Sequence, residues 1–273
     1  MSSLPERMGP GSLDTPPVVL AVNNLTKSFG GLRATSDVSF EVADKAVTAL
    51  IGPNGAGKTT VFNLITNLFE PDAGEVSFLG KSLKGLSSTR IAELGLIRTF
   101  QSARVFPGMT VLENVLAGRH RLVKSSGLSQ MFWLPASRRE EDELTRRAMS
   151  LLELVGLSRF ANAHAVDLPM GAQKLLEVIR ALMAQPRLLC LDEPAAGLND
   201  TETAELAALL RAIRQGGIPV LVVEHNMSLV MNVADRVVVL DTGAVIASGT
   251  PAEIQRDARV IEAYLGREAD AAA

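Results

Sequence analysis

One stretch near the start of the chain, ALIGPNGAGKTT at positions 49–60, constrains the fold more than any other. Residues Gly52 to Thr59 match the spacing G-x-x-x-x-G-K-S/T, in which a glycine-rich turn wraps phosphate groups with its backbone N–H groups. Glycine is needed where the backbone must approach a phosphate closely or take a positive φ. Gly52, Gly55 and Gly57 occupy such positions, so the sequence predicts a phosphate-binding loop.

The residues on either side of this loop predict its surroundings. The apolar run at 46–51 is typical of a central strand, and the apolar spacing at 58–65 predicts a helix whose N-terminus adds partial positive charge. We expect Lys58 to contact the β- and γ-phosphates and Thr59 to bind Mg²⁺. A glycine-rich turn with a chance lysine is the alternative. The residues expected to bind ATP here are Gly52, Pro53, Asn54, Gly55, Ala56, Gly57, Lys58, Thr59 and Thr60.

The composition limits the classes of protein to which the chain can belong. Its 273 residues, 47% hydrophobic and 21% charged, suffice for one large globular domain or two small ones. No run approaches the roughly 18 apolar residues of a membrane span, which predicts a cytoplasmic or peripheral protein. A net charge of −3 gives no general attraction to nucleic acid. The single cysteine, Cys190, lies in an apolar run and predicts a buried free thiol in a reducing compartment.

Periodicity and turn residues predict a mixed α/β organisation. Residues 1–17, rich in Ser, Pro and Gly, predict a disordered tail. A turn is expected at 27–31, and the segment from Ser88 to about Gln185 is expected to be mostly helical. Further helices are predicted at 201–214 and 251–265. Strands are predicted at 18–22, 37–42, 46–51, 75–79, 188–191 and 219–223, and as a hairpin at 237–240 and 245–247.

Two carboxylates, Asp192 and Glu193, directly follow the buried strand predicted at 188–191. In an open α/β sheet, ligands bind in the crevice at the carboxyl ends of the strands. We expect Asp192 to hold Mg²⁺, directly or through water, because a hard cation prefers oxygen ligands. Glu193 is then placed to accept a proton from the attacking water. Two carboxylates at an ordinary strand end are the alternative.

Three further residues are candidates on weaker signals. His225 follows the next buried strand and is expected to contact the γ-phosphate, although a lone histidine is more often structural. Gln101 is a candidate for contacting the metal or the attacking water. Phe29, in the predicted turn, is a candidate for stacking on adenine, and taken alone it would be interpreted as a core residue.

These motifs, in this order, resemble the nucleotide-binding subunit of an ABC transporter. Residues 52–59 are similar to its Walker A motif, Gln101 to its Q-loop, 188–193 to its Walker B motif and His225 to its switch histidine. Residues 197–200 are similar to its D-loop, which places Asn199 and Asp200 at a dimer contact.

This resemblance implies an α/β P-loop NTPase fold with a mostly parallel core sheet and an N-terminal antiparallel β subdomain. It implies an ABC nucleotide-binding domain at 18–266, with an inserted helical subdomain at about 102–184. The last residues, 267–273, are expected to be frayed. ATP and Mg²⁺ are the implied cofactors.

Several short segments narrow the resemblance to one of the two ATPase subunits of branched-chain amino-acid importers. It implies a second ATP-binding subunit, in a heterodimer or alternatively a homodimer, two integral membrane permease subunits, and indirectly an external solute-binding protein. It also implies a peripheral position on the cytoplasmic face of the inner membrane and no nucleic-acid partner. Urea, amides and other small solutes stay open as cargo. The segments are FGGLRA at 29–34, PAAGLN at 194–199, EHNM at 224–227 and VIEAYLG at 260–266.

One segment departs from the family pattern. The signature, commonly L-S-G-G-Q, corresponds to LPMGAQ at 168–173, and in the family it is donated across a head-to-tail dimer to the partner's γ-phosphate. The residues donated in trans would be Pro169, Met170, Gly171 and Ala172. Pro169 has neither a hydroxyl nor an N–H, yet proline suits the first position of a helix. We therefore expect an intact helix and a weakened site on the partner's nucleotide.

Two other functions stay open from the sequence. The first is a soluble ABC-type ATPase of DNA repair or translation, although such proteins usually carry long coiled coils or a duplicated domain, and this chain does neither. The second is a nucleotide-binding regulatory subunit without turnover, which Pro169 and Ala172 favour and Glu193 and His225 oppose.

The segment from Gln101 to about Pro135 is predicted to dock the membrane subunits. It follows Gln101 and carries large apolar residues in a setting of loops. Burial of these side chains within the helical subdomain is the alternative. They are Val105, Phe106, Met131, Phe132, Trp133 and Leu134.

Overall fold

The computed structural model describes residues 16–99, 105–121 and 135–271. The strands are β1 Val18–Phe29, β2 Leu32–Ala43, β3 Val47–Ile51, β4 Ala73–Phe78, β5 Lys81–Ser82, β6 Leu96–Arg98, β7 Leu188–Asp192, β8 Val220–Val223, β9 Arg236–Asp241 and β10 Ala244–Gly249. The helices are α1 Lys58–Ile65, α2 Ser88–Leu94, α3 Val111–Ala117, α4 Pro135–Leu154, α5 Met170–Met183, α6 Asp200–Gln215, α7 Met227–Val233, α8 Pro251–Ile254 and α9 Ala258–Ala271.

The described strands form two sheets. One is antiparallel, with the order β2-β1-β4-β5. The other has the order β10-β9-β3-β8-β7-β6 and is parallel except for the β9–β10 hairpin. The turn predicted at 27–31 is shorter than expected, because β1 runs to Phe29 and β2 resumes at Leu32. Gly30 and Gly31 alone make the turn, and Gly30 has the positive φ of 57° that a tight hairpin requires.

The central strands β3, β7 and β8 are buried along their whole length. Their alternate side chains feed two hydrophobic clusters, one on each face of the sheet. Ala49 and Ile51 pack with the larger cluster, which includes α5 and α6, whereas Leu50 packs with α1 and the antiparallel sheet. Unbroken apolar runs are expected of parallel strands covered on both faces.

The segment at 88–185, predicted to be mostly helical, also contains the short strand β6, which the sequence analysis did not predict. Gly95 ends α2 with a φ of 108° and turns the chain into the sheet, where Leu96 pairs with Leu188 of β7. A strand of three residues shows no periodic pattern, so the sequence signal was absent there. The consequence is that Arg98 lies at the carboxyl end of an edge strand beside β7.

The helix predicted at 251–265 is two helices, α8 and α9. The side chain of Asp257 accepts the N–H of Arg259 at 2.9 Å, which begins a second helix in the way an N-terminal cap does. The second helix also continues beyond the predicted end to Ala271. Residues 267–271 read READA, and the alanines, arginine and glutamate among them favour helix.

The register of the parallel strands aligns their carboxyl ends. Val223 of β8 pairs with Leu50 of β3 on one side and with Asp192 of β7 on the other. The residues that follow these three strands therefore meet at one edge of the sheet. Among the described residues, no helix has both the length and the hydropathy to cross a membrane.

Candidate nucleotide site

The glycines of the phosphate loop are required by neighbouring backbone as well as by their dihedral angles. Gly52 and Gly57 have φ values of 151° and 97°. A Cβ on Gly52 would lie 2.1 Å from the carbonyl oxygen of Leu240, and one on Gly57 would lie 2.5 Å from that of Ala34. Strand β9 and strand β2 therefore press against the loop, and only glycine fits both places.

One hydrogen bond attaches the loop to the β9–β10 turn, and a second attaches that turn to strand β2. The N–H of Gly243, in the β9–β10 turn, donates to the carbonyl oxygen of Ala56 at 3.0 Å. The N–H of Ser36 in β2 donates to the carbonyl oxygen of Gly243 at 2.8 Å. The phosphate loop is thus attached to the β9–β10 turn and, through that turn, to the antiparallel sheet.

Lys58 lies inside the loop that it follows. Its buried ammonium donates to the carbonyl oxygens of Gly52 at 2.7 Å and Pro53 at 3.0 Å. The next residue, Thr59, is exposed, and Thr60 is half-buried. The positive charge and the first hydroxyl of α1 are therefore both located at the loop, where a phosphate chain and its cation would need them.

A cleft of about 430 Å³ brings most of the predicted residues together. Its lining includes Phe29, Glu193 and the loop from Asn54 to Thr60. Asp192 and His225 are not among the described residues that line it. Phe29 is 43% exposed and meets Phe69 edge-on, with ring centroids 5.4 Å apart. Phe29 is therefore a surface residue at the cleft, and the alternative of a core residue is wrong.

Asp192 is buried and uses only one of its carboxylate oxygens within the described structure. Oδ2 accepts a hydrogen bond from the Arg98 guanidinium at 2.8 Å, whereas Oδ1 is buried without a hydrogen-bond partner among the described residues. Burial raises the pKa of the Asp192 carboxyl, and the hydrogen bond from Arg98 opposes that rise. A buried carboxylate oxygen with no partner is suited to a cation or to a water bound by one.

No cluster of three or more His, Cys, Asp or Glu side chains suited to a metal occurs in the part of the chain that the structure describes. A magnesium ion here would therefore take its ligands from Asp192, from the Thr59 hydroxyl and from phosphate oxygens. This donor set fits the ion, because Mg²⁺ in phosphate sites is bound by one or two protein oxygens, substrate phosphates and water.

Glu193 follows Asp192 in an unusual backbone conformation. Its φ is 46°, which is uncommon for a residue other than glycine, and its N–H donates to the carbonyl oxygen of Val223 at 2.9 Å. The side chain is half-buried and faces the cleft. Backbone strain of this kind occurs often at functional positions, where the surroundings hold it in place.

Glu224 is a residue that the sequence analysis did not single out. Its fully buried carboxylate accepts the N–H of Ala195 at 2.7 Å and the N–H groups of His225 and Asn226 at 3.0 and 3.1 Å. It thereby connects the turn after β8 to the segment after β7, while the side chain of His225 stays exposed. The only sequence signal was a carboxylate directly after a buried strand, the same signal that marked Asp192.

The segment resembling the signature begins α5, away from the cleft. Pro169 is the residue before the first helical position, with ψ at 154° and no side-chain cap, so the expectation that it occupies the first position is wrong. Its carbonyl oxygen accepts the N–H of Gln173 at 3.0 Å, as a capping residue's does. Met170 is 60% exposed, Gly171 is buried and Ala172 is half-buried.

Glu202 joins this segment to the one resembling the D-loop. Its Oε1 accepts the N–H of Gly171 at 3.2 Å, and its Oε2 accepts the N–H of Asn199 at 3.0 Å. Asn199 in turn caps α6 by accepting the N–H of Glu202, and the next residue, Asp200, is exposed. None of the described residues at 168–173 or 199–200 lines the cleft. Gln101 lies outside the described residues, so its role stays a prediction.

The fold and the cleft together define a P-loop nucleotide-binding ATPase. Residues 35–196 match the family described as "ABC transporter", and residues 244–270 match "Branched-chain amino acid ATP-binding cassette transporter". The chain belongs to the ABC transporter family. This result confirms the family resemblance and the predicted fold class, and it makes the chain a nucleotide-binding ATPase.

Relatives agree with this assignment over nearly the full length. The chain is 46% identical over 249 residues to the high-affinity branched-chain amino acid transport ATP-binding protein BraF of Pseudomonas aeruginosa, and 43% identical over 249 residues to LivG of Escherichia coli K12. Each alignment covers 91% of this chain and 98% of the relative.

Solved structures of ATP-binding cassettes resemble the fold over most of the chain. A nucleotide-free ATP-binding cassette of an ABC transporter superposes with a TM-score of 0.78 at 33% identity, covering 91% of this chain and 99% of that one. The ADP conformation of an ABC transporter cassette superposes with a TM-score of 0.80 at 33% identity, covering 92% and 99%.

Proposed function

We propose that this chain is the ATP-hydrolysing subunit of an importer for branched-chain amino acids or a related small solute. The observation that carries the proposal is its similarity, over 91% of its length, to the branched-chain amino acid transport ATP-binding proteins BraF and LivG. The geometry supports turnover, because the phosphate loop and Glu193 line one cleft and Asp192 ends β7, the strand that Glu193 follows.

Each residue of the proposed nucleotide site has a distinct task in this proposal. The loop N–H groups and Lys58 bind the phosphates, and Phe29 stacks on adenine. Asp192, Thr59 and Gln101 hold Mg²⁺, which when bound neutralises phosphate charge and orients the phosphates. Glu193 takes a proton from the attacking water, and His225 contacts the γ-phosphate. Glu224 positions His225 by binding the backbone N–H groups at the start of that turn.

A second ATP-binding subunit completes the site in this proposal. The segment at 168–173 is absent from the described lining of the cleft in its own chain, while Pro169 and Met170 are exposed. This separation supports a head-to-tail dimer, in which the signature of one subunit faces the cleft of the other. The partner is a different ATP-binding chain, as in importers with two ATPase subunits, or alternatively a second copy.

Two integral membrane permease subunits dock on the helical side of the molecule in this proposal. A groove of about 590 Å³ there is lined by β6, α3 and α5, and Phe106 borders it. Phe106 is 45% exposed, with the Arg180 guanidinium 4.9 Å from its ring centroid. Residues 131–134, which carry the other large apolar side chains of the predicted docking segment, lie outside the described residues. Docking places the chain at the cytoplasmic face of the inner membrane, with an external solute-binding protein acting through the permeases.

The other two functions are less well supported. The relatives named above are transport proteins, which favours transport over DNA repair or translation. Glu193 lines the cleft and Glu224 fixes the turn that carries His225, which favours turnover over a purely regulatory role.

Reconstitution of the complete transporter tests the proposed function. The chain is co-expressed with candidate permease, ATPase and binding-protein genes from the same genome, and the purified complex is placed in liposomes. We expect ATP-dependent uptake of labelled leucine, which the Lys58→Ala variant abolishes. ATP hydrolysis without uptake of leucine, isoleucine or valine would contradict the proposal that branched-chain amino acids are the transported solute. Failure of the chain to copurify with any permease would contradict the proposal that it is a subunit of an importer.

A further inference from the structure

Arg98 lies between the phosphate-loop helix and the carboxylate of Asp192. It is the last residue of β6, and its guanidinium forms an ion pair with Asp192 at 2.8 Å. The two side chains are only 12% and 1% exposed. An ion pair this well buried is not a surface contact, and its geometry is set by the residues around it.

Helix α1 holds the other side of the same guanidinium. One nitrogen, Nη1, donates to Asn63 Oδ1 at 2.7 Å and to Thr66 Oγ1 at 3.0 Å, and the guanidinium carbon lies 4.6 Å from the centroid of the Phe62 ring. The nitrogen that binds Asp192 is the other one, Nη2. The planar fork of arginine therefore fixes the direction of Asp192 relative to the helix that begins with Lys58 and Thr59.

This arrangement leaves Asp192 with one committed oxygen and one available oxygen. Oδ2 is bound to Arg98, and Oδ1 is buried without a hydrogen-bond partner among the described residues. Buried polar atoms in proteins are nearly always paired, so Oδ1 is available to a ligand, and a carboxylate oxygen suits a cation or a water bound by one. Carboxylates that bind metals are commonly oriented by a hydrogen bond from a residue that does not itself bind the metal. Loss of that hydrogen bond typically weakens metal binding 10–100-fold.

We propose that Arg98 is a positioning residue for the magnesium that accompanies ATP, because it holds Oδ2 of Asp192 and thereby directs Oδ1 towards the metal. The proposal rests on the proposed function only in taking Mg²⁺-ATP as the ligand. It assigns to Arg98 a task that the phosphate-loop and strand-end motifs do not contain, since Arg98 belongs to neither motif and is not among the described residues that line the cleft.

The test compares nucleotide affinity with and without metal in the full-length chain. The affinity of a fluorescent trinitrophenyl-ATP is measured in EDTA and in saturating Mn²⁺, and the ratio of the two dissociation constants reports how strongly the metal assists binding. For Arg98→Met, we expect this ratio to fall about 10–100-fold while the affinity in EDTA stays within about threefold. A merely structural defect would weaken both affinities alike and leave the ratio unchanged.

Two further variants complete the comparison. Arg98→Lys keeps the positive charge but lacks the planar fork, so we expect it to fold and to show a smaller decrease of the ratio than Arg98→Met. If Arg98→Met does not fold, Arg98→Lys is the variant that tests the proposal. Arg147→Met is the matched control, because Arg147 donates to the carbonyl of Leu182 within the helical region and should keep the wild-type ratio.

A folded Arg98→Met with an unchanged or increased ratio would overturn the proposal for Arg98 alone. A wild-type chain whose nucleotide affinity does not respond to Mn²⁺ would overturn the magnesium assignment, and the role of Arg98 with it.

Discussion

Glu193 combines a strained backbone with a carboxylate that faces the cleft. We expect Glu193→Gln to bind ATP with nearly unchanged affinity while turnover falls by ~10²-fold or more, because the amide cannot accept the proton of the attacking water. Nucleotide affinity and steady-state turnover of the purified complex provide the measurement.

Lys58→Ala is the comparison for Glu193→Gln. It removes the ammonium buried in the phosphate loop, so nucleotide binding itself should be lost. If Glu193→Gln hydrolyses ATP like the wild type, Glu193 is not the general base.

Cys190 gives a pH-dependent contribution to stability. Its burial in β7 raises the pKa of the thiol to about 12, whereas an unfolded cysteine has a pKa of about 8.5. Between these values the folded chain binds more protons than the unfolded chain, so the free energy of unfolding decreases as pH rises. Through this thiol, the free energy of unfolding decreases by about 2 kcal/mol between pH 8.5 and 10.

Urea denaturation of the wild type and of Cys190→Ala at both pH values isolates this contribution. We expect the alanine variant to lose less stability over this range, although the cavity lowers its stability at every pH. Parallel pH profiles for the two proteins would show that the thiol is not protonated more strongly in the folded state.

At the residue scale, sequence analysis could predict the site residues whose proposed roles depend on local spacing. The loop residues and the pair Asp192 and Glu193 are neighbours in the chain, so a short motif reveals them. Arg98 and Glu224 were not predicted because their partners are distant in sequence: Arg98 meets Asp192 and residues of α1, and Glu224 binds Ala195. Only the sheet order and register bring such pairs together.

Helices α5 and α6 begin side by side, and the small size of Gly171 permits this. A Cβ on Gly171 would lie 2.5 Å from Oε1 of Glu202, so Gly171→Ala must displace that side chain from its hydrogen bond. The lost charged hydrogen bond, about 1.5–3 kcal/mol, exceeds the gain in helix propensity of up to about 1 kcal/mol. We expect a net loss of about 1 kcal/mol in the free energy of unfolding, measured by urea denaturation.

The same substitution in a Glu202→Ala background is the control for this prediction. Without the glutamate there is no clash and no hydrogen bond to lose, so Gly171→Ala should be neutral or stabilising by up to about 1 kcal/mol. Equal effects in the two backgrounds would mean that Gly171 does not accommodate Glu202.

At the element scale, the buried strands, α1 and the β9–β10 hairpin were predictable because each has its own periodicity or turn residues. Strand β6 was not, since three residues are too few for a pattern and its position at the sheet edge depends on pairing with β7. The division between α8 and α9 was also missed. The sequence around Asp257 is compatible with a continuous helix, and only the structure shows that its side chain caps a second helix.

Asymmetry between two nucleotide sites is the main expectation for the assembled molecule. The phosphate loop and Glu193 line the cleft of this chain, whereas the segment that we propose is donated to the partner lacks a serine hydroxyl at Pro169. One lost hydrogen bond to a charged phosphate costs about 1.5–3 kcal/mol, or roughly ten- to a hundredfold in turnover at the partner's site. The N–H of Gly171 offers no ready replacement, because it already donates to Glu202.

The asymmetry is tested in a complex with the natural partner chain, since a homodimer would carry the altered segment at both sites. We expect Pro169→Ser combined with Ala172→Gln to leave ATP turnover unchanged or raise it, while Glu193→Gln removes most of it. Loss of activity from the Pro169→Ser change would show that the proline is a working part of the site.

Docking of the permeases is a second expectation for the assembled molecule. A cysteine at Phe106, beside the groove on the helical side, should form a crosslink to a permease subunit in an active complex. Leu79→Cys is the control, because Leu79 is 39% exposed but follows β4 in the antiparallel sheet. Efficient crosslinking at both positions, or at neither, would contradict docking in this groove.

The hydrogen bonds that connect the phosphate loop to the β9–β10 turn, and that turn to β2, have a thermodynamic consequence. Because the hydrogen bond between Gly243 and Ala56 is made entirely within the chain, we expect the loop to lose little conformational entropy when nucleotide binds. Most of the ordering cost belongs to folding instead. Loosening the turn at Gly243 should therefore appear in calorimetry as a less favourable binding entropy, even though that residue is far from the loop along the chain.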